Sequence, residues 1–304
     1  MKYSIIPGTD MSVSKVCLGT MTFGSPVPEA DAIRLVHYAR NEHGINFVDT
    51  ANMYEGYNRV AGSSGGVAEE ILGKAVAGQR DRYILATKVG MKVGTAPEDE
   101  NTSPLAIATQ LRRSLKRMHT DYVDLYYLHR YDPDTEPHLI ARTIGEELKA
   151  GTIRAWGVSN YTADQLKALL QAAKEENIVP PAMCQPALSM VNTGALADIL
   201  PLCASEGIGV IPYQILQGGM LTGKYRRNQA VPAGSRLAEK PEWMKPFTDE
   251  VYNVIEHCAE KAAQQGITMT QYALRWTLEQ PGVISSLIGV KREAQIDEAA
   301  QAIV

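Results

Sequence analysis

The chain reads as an α/β fold, a single (β/α)8 TIM barrel opened by a short N-terminal β-hairpin, and three observations lead there. Short β-rich runs alternate with helix-period segments almost end to end, the rhythm of repeated βα units around a parallel sheet. Eight such runs are present, and 304 residues suit one barrel of the kind that commonly takes about 250 or more. Titratable residues stand at the C-terminal ends of several runs whose interiors are apolar, which is where a barrel builds its active site.

The elements follow in order. Residues 3–6 and 12–14 flank Pro7-Gly8-Thr9-Asp10, a turn cluster, and predict the hairpin. The eight barrel runs are 16–19, 45–50, 83–88, 122–129, 153–159, 182–186, 209–213 and 283–288. Between them the helices are well punctuated. Ser103-Pro104 offers an N-cap followed by proline at the first helical position, with Ile107, Leu111 and Leu115 on one face. Gly44 suits the C-cap of a helix whose Ile33, Val36 and His37 share a stripe. Residues 53–66, 89–102 and 222–249 lack either period and follow strands, so they belong at the active-site rim. No linker or close internal repeat divides residues 1–304, and one domain is expected.

Composition narrows the function classes. Apolar residues make up 45% and charged residues 21%, which describes a folded chain rather than a disordered one. Thirty basic against 34 acidic residues leave a net charge of −4 with no basic stripe, so nucleic acid is not an expected partner. The longest apolar runs fall far short of the roughly 20 residues that cross a bilayer, and the first residues lack the apolar core of a signal peptide. A cytoplasmic protein without a membrane partner is expected. Cys17, Cys184, Cys203 and Cys258 lie far apart with no CxxC pair, which predicts buried reduced thiols and no metal site.

The chemistry is carried by strand ends. Asp49, Lys88 and His129 close three different runs, and Tyr54 follows Asp49 by five residues in the next loop. Period two places Asp49 with Phe47 and Ile45, and Lys88 with Ala86 and Ile84, pointing both charges at the barrel axis. There they can pair, and the lysine can lower the pKa of a nearby tyrosine from about 10, making Tyr54 a general acid. Taken singly, each residue has an ordinary structural explanation; the four together point to catalysis.

These residues carry a resemblance. Asp49-Thr-Ala-Asn-Met-Tyr54-Glu-Gly, the run ending in Lys88, and Asp121-Tyr-Val-Asp-Leu-Tyr-Tyr-Leu-His129-Arg are similar to three signatures of the aldo-keto reductase superfamily. Gly157-Val-Ser159-Asn160, Gln185 and Gly219-Met-Leu-Thr-Gly-Lys224-Tyr resemble further motifs in the same order, so that the likeness covers nearly the whole chain. It implies an NADPH-dependent carbonyl reductase, with Tyr54 as proton donor, Lys88 and Asp49 tuning it, and His129 orienting the substrate carbonyl.

The chain has no G-x-G-x-x-G, and Gly62-Ser-Ser-Gly-Gly does not match one. The resemblance implies instead that Gly19, Thr20, Met21 and Asp49 line the nicotinamide end, that Ser159, Asn160 and Gln185 hold its carboxamide, and that Tyr213 stacks on the ring. Ser159-Asn160 could also simply cap the next helix. Gln214, Leu216 and Gly218 would contribute backbone, since Tyr213-Gln-Ile-Leu216 departs from the Tyr-Ser-Pro-Leu of typical relatives. Downstream, Gly289, Lys291, Gln295 and Glu298 resemble the phosphate and adenine end. Lys291 and Arg292 are adjacent cations near a helix N-terminus, which favours NADPH over NADH, with Lys224 a further clamp; each could equally be a solvated surface charge.

The expected substrate is a small aldehyde or ketone, with Phe23, Tyr57, Tyr131 and Trp156 proposed by position to line its pocket. Neither oligomeric state nor the physiological direction is legible. Two other readings stay open: a nucleotide-binding, redox-sensing regulatory subunit resembling the potassium-channel β-subunits, and an unrelated barrel isomerase or aldolase using Lys88 as base or Schiff-base lysine.

Overall fold

The computed structural model describes residues 1–60 and 62–303. The hairpin forms first: β1 (Tyr3–Ile5) pairs antiparallel with β2 (Ser12–Ser14). Eight parallel strands follow: β3 (Val16–Gly19), β4 (Phe47–Asp49), β5 (Ile84–Val89), β6 (Val123–Leu128), β7 (Ile153–Ser159), β8 (Met183–Gln185), β9 (Gly209–Val210) and β10 (Ser286–Gly289). They pair in sequence order, with β10 returning to lie beside β3. The barrel closes through the bridge of Val210 to Val283, where the Val210 N–H donates to the Gly282 carbonyl at 2.9 Å and the Ile284 N–H to the Val210 carbonyl at 3.0 Å, and through the Leu287 N–H donating to the Pro212 carbonyl at 3.2 Å.

The expected runs are present: the first and fifth match residue for residue, the third is displaced by one residue, and the other five are shorter as hydrogen-bonded ladders. The seventh stops at Val210 as a regular ladder because Pro186 on the facing strand has no N–H to donate to the Ile211 carbonyl, and Pro212 has none for its other neighbour; Tyr213 rejoins the sheet as a bridge to Ala187. In the eighth, the paired part starts three residues later than expected and runs on to Gly289.

Long helices cover the outside: α1 (Glu29–His43), α2 (Val67–Val76), α3 (Pro104–Met118), α4 (Pro137–Ala150), α5 (Ala163–Glu175) and α6 (Ile199–Glu206) come between the strands. After β9 come the short α7 (Arg236–Glu239) and the longer α8 (Asp249–Gln264) and α9 (Met269–Leu278), and α10 (Glu293–Gln301) follows β10. Their punctuation is chemical. The Ser103 hydroxyl accepts from the Ala106 N–H at the start of α3, with Pro104 at the first position, and Gly44 ends α1 in the left-handed region at φ 68°. No helix among the described residues is long and apolar enough to cross a membrane.

Period-two alternation divides the core. Val48, Leu85, Tyr126, Trp156 and Cys184 face outward into the helix layer, whereas Cys17, Phe47, Ala86, Leu125, Tyr127, Ala155, Met183 and Ile211 fill the barrel. Two expected pocket residues are thereby corrected. Trp156 lies between Ala155 and Gly157, which face the axis, so its indole points outward, fully buried, and donates to the Val179 carbonyl at 2.9 Å. Phe23 is fully buried in the same outer layer, turned under by the bridge between its own backbone and Val27.

The barrel interior leaves no room at Gly157. A Cβ there would stand 2.5 Å from the Met183 carbonyl oxygen and 2.6 Å from the Tyr127 ring. Gly157→Ala should therefore cost about 1–3 kcal/mol through overpacking and lower the thermal midpoint by several degrees. An unchanged midpoint in a melting scan would show that the interior yields freely.

Candidate active site

The same alternation that sends Trp156 outward sends Asp49, Lys88, His129, Ser159, Gln185 and Tyr213 to the barrel axis at the C-terminal ends of their strands. Lys88 and Asp49 are 0% and 1% exposed and form a close ion pair there. Lys88 Nζ also donates to the Thr50 carbonyl at 2.8 Å and to the Tyr54 hydroxyl at 3.3 Å, so its charge is fixed between two strands and a loop. The second Asp49 oxygen accepts from the Gln185 amide at 2.9 Å. Tyr54 and His129 meet edge to face with ring centroids 5.9 Å apart. The structure thus brings all four proposed catalytic residues together from β4, β5, the end of β6 and one loop.

The electrostatics of the group follow from burial. Burial pushes the Tyr54 phenol above its ordinary value, against the opposing pull of Lys88. Lys88 pulls it down as expected, but in the ligand-free site desolvation of the hydroxyl outweighs that one cation at 3.3 Å, so the net direction is upward. Burial works against the Lys88 ammonium, but Asp49 and Tyr54 outweigh it and hold the lysine above its usual range. Burial likewise pushes the Asp49 carboxyl up against the pull of Lys88. His129 is held well below the usual imidazole range, first by burial and then by the charges of Lys88, Arg130 and Arg59. The ring is neutral at neutral pH, and its Nδ1 is buried with no hydrogen-bond partner among the described residues.

Around this group stand the residues expected to hold the nicotinamide end. The Ser159 hydroxyl donates to the Gln185 carbonyl at 2.8 Å. The Asn160 amide donates to the His129 carbonyl at 2.8 Å, and Asn160 Oδ1 accepts from the Tyr213 hydroxyl at 2.6 Å. Neither Ser159 nor Asn160 caps α5; Thr162 does that. Thr20 is fully buried, its hydroxyl donating to the Asp49 carbonyl at 3.1 Å, and Gly19 pairs in register with Asp49 and Gly289.

At the other end a cationic cluster forms. Lys224 is pushed below its ordinary pKa by burial and by Lys291, Arg236 and Arg292, with Glu239 as the opposing charge. Lys291 Nζ pairs with Glu239 at 2.9 Å, and the Lys291 N–H donates to Gln295 Oε1 at 2.7 Å, while Glu298 accepts from the Thr268 hydroxyl at 2.6 Å. The segment linking the two ends, after Tyr213, has Gln214 at φ 57°, Gly218 at φ 64° and Gly219 at φ 94°; a Cβ on Gly219 would meet the Lys224 side chain at 2.2 Å. Leu216 accepts the Gly219 N–H at 2.8 Å within that turn. Arg236 is a cation that the sequence analysis did not single out. It lies in the aperiodic residues 222–249, and only the loop's return to the barrel mouth places it.

Two cavities open at this end. One, of about 430 Å³, is lined by Tyr54, Met21, Met53, Arg59, Val60 and Trp243 among others. Its neighbour, of about 670 Å³, is lined by Tyr131 with Arg130 and Lys92. Of the four expected pocket residues, Tyr131 lines the neighbour, where it packs edge to face on Tyr161. Tyr57 packs edge to face on Trp243 at 5.4 Å, with Lys291 Nζ 5.1 Å from its ring centroid, which places it beside the cationic cluster. Met21, expected on the nicotinamide side, lines the cavity with Tyr54.

Comparison with known proteins agrees with the geometry. The model of the Aldo/keto reductase family matches residues 15–304. The chain is 31% identical to a probable voltage-gated potassium channel subunit beta of Arabidopsis thaliana, over 100% of this chain and 91% of that protein. It is 30% identical to L-glyceraldehyde 3-phosphate reductase of Escherichia coli (strain K12), over 86% and 75% respectively. A solved glycerol dehydrogenase from Gluconobacter oxydans superposes with a TM-score of 0.82 at 28% identity, covering 99% of this chain and 90% of that one. A chain whose strand ends bring a buried lysine, aspartate and histidine against a partly buried loop tyrosine, and which matches the family model over nearly its full length, belongs to the aldo/keto reductase family.

Proposed function

We propose that the protein is an NADPH-dependent reductase of small aldehydes or ketones, with Tyr54 as the general acid. The observation that carries this reading is the Tyr54 hydroxyl held 3.3 Å from the buried Lys88 ammonium. The residues around it fit a nicotinamide dinucleotide phosphate. Lys224, Lys291, Arg236 and Arg292 repel one another with Glu239 as counter-charge, an arrangement that a bound phosphate relieves. Asn160 and Tyr213 are locked together at the strand ends, where the nicotinamide would lie. When bound, the dinucleotide supplies the hydride.

The chain's own residues supply the proton and its stabilisation. Tyr54 Oη donates to the carbonyl oxygen as negative charge develops there, and the resulting phenolate faces Lys88. At 3.3 Å and an effective dielectric of about 20, that attraction is on the order of 5 kcal/mol, enough to make the phenolate accessible in turnover although burial keeps the resting phenol protonated. Asp49 and Gln185 hold Lys88 in place. His129, kept neutral by burial, offers a donor to the same oxygen without adding a second cation that would compete with Lys88. The similarity to a potassium-channel subunit gives a regulatory role a hearing, but the intact set of four favours turnover. Four buried cysteines, none in a disulfide, suit the reducing cytoplasm.

Replacing Tyr54 by Phe deletes only the transferable proton. Turnover of any aldehyde substrate should drop about 100- to 10,000-fold while the NADPH dissociation constant stays within about twofold; unchanged turnover sinks the assignment. In the ligand-free protein, the tyrosinate absorbance attributable to Tyr54, taken as wild type minus Tyr54→Phe, should be absent below about pH 10, because burial raises its pKa. A signal rising near pH 8 would mean that Lys88 wins instead. Lys291→Ala should weaken NADPH about tenfold and NADH less than about twofold, read by tryptophan fluorescence. Equal losses would move the 2′-phosphate elsewhere. For stability, His129 is neutral when folded, whereas the unfolded histidine takes up a proton near pH 6.5. Its contribution is present above that pH and is lost as the pH falls through it, so His129→Asn should flatten the fall in stability between about pH 6.5 and 5.

A further inference from the structure

The cavity that Tyr54 lines carries two charged side chains, Glu55 and Arg59, among otherwise apolar walls. Glu55 is committed: it accepts from the Ser63 hydroxyl and, at 3.1 Å, from the Gly65 N–H, and stands 3.8 Å from the Arg59 guanidinium. Arg59 is held differently. Its Nη1 donates to the Met53 carbonyl at 2.8 Å and its Nη2 to the Lys92 carbonyl. Those acceptors fix the guanidinium plane without cancelling its charge, and they occupy two of the five N–H donors an arginine has. The side chain is 20% exposed, so this charge sits in a poorly solvated wall with its carboxylate partner beyond hydrogen-bond distance.

Two nearby cations are paired differently. Arg130 pairs with Glu100 at 2.6 Å and Lys92 with the same carboxylate at 3.4 Å, and both line the neighbouring cavity, which also has Asp132 and Asp134 in its wall. Arg59 alone of these three shares a cavity with Tyr54. Its field also reaches the reacting end, since it is among the charges that depress His129.

We propose that Arg59 determines specificity, so that the site prefers an aldehyde or ketone bearing a carboxylate or phosphate, whose anion meets the Arg59 guanidinium while its carbonyl faces Tyr54. This rests on the reductase reading and names its substrate class. A planar fork already oriented by two carbonyls loses little freedom on meeting an anion, and charge-assisted hydrogen bonds in a half-buried wall are the strong kind. A neutral aldehyde of the same shape leaves the guanidinium with only the looser Glu55 ion pair at 3.8 Å, and the difference between the two is the selectivity.

The test compares kcat/KM with NADPH for matched pairs: 4-carboxybenzaldehyde against methyl 4-formylbenzoate, and glycolaldehyde phosphate against glycolaldehyde. The anionic member is expected to be favoured at least about tenfold in one pair or both, and the pair that shows it identifies the anion. Arg59→Met should reduce that ratio at least about tenfold whatever happens to the absolute rates, and Arg59→Lys, which keeps the charge but loses the oriented fork, should fall between wild type and Arg59→Met. Should Arg59→Met fail to fold, raising ionic strength on the wild-type protein must lower the ratio. A wild-type ratio near one, or a ratio unmoved in Arg59→Met, overturns the proposal. If no aldehyde is reduced although NADPH binds, the reductase reading is what has failed. The anion site is then decided without turnover, by whether 4-(hydroxymethyl)benzoate binds at least about tenfold tighter than its methyl ester, read from tryptophan fluorescence.

Discussion

The buried ion pair of Lys88 and Asp49 is the constraint around which the rest of the site is arranged. Two opposite charges with almost no solvent exposure carry a large desolvation cost, and such a pair persists only when its remaining donors and acceptors are satisfied. Here they are: Lys88 donates to Thr50 and Tyr54, and Asp49 accepts from Gln185. Removing either partner would strand a charge in the barrel, at a cost on the order of 3–5 kcal/mol. The pair therefore dictates the position of Tyr54 and the orientation of Gln185, and its ammonium adds to the burial that keeps His129 neutral.

That constraint spreads outward through hydrogen bonds rather than through packing. Gln185 passes it to Ser159 through its carbonyl, and the His129 carbonyl passes it to Asn160 and so to Tyr213. Five neighbouring strand ends, β4 to β8, are thus tied into one polar layer above an apolar barrel interior. The proposed cofactor seat is this layer plus the cationic cluster beyond Tyr213. The two ends differ in character: the layer is cross-linked by its own hydrogen bonds, whereas the cluster carries more positive charge than its carboxylate offsets.

Much of this was legible one residue at a time. The hairpin, the eight runs and the caps at Ser103 and Gly44 are local features, set by turn chemistry and by period two or 3.6, and the structure has them. Strand ends were less legible, because ladder length depends on the neighbouring strand, as Pro186 shows by interrupting the pairing of β9. Asp49, Lys88 and His129 were readable because a charged residue at the end of an apolar strand has few places to go. Tyr54 lies on a loop, and its nomination came from the resemblance as much as from its spacing.

The pocket was the least legible part. Trp156 and Phe23 are aromatic and close to the rim in sequence, yet parity in one case and a local turn in the other bury them on the helix side. Arg59, Arg236 and Trp243 belong to aperiodic loops, and nothing in the order of residues says which loop returns over the barrel mouth. The sequence alone determined the strand periodicity, the caps and the charged strand ends, because these follow from interactions within a few residues. Only the tertiary structure decided that burial outweighs Lys88 at Tyr54 and that Arg59 shares the tyrosine's cavity. Exclusion of water and the distance between charges are properties of segments far apart in the chain, and they exist only once the barrel has closed.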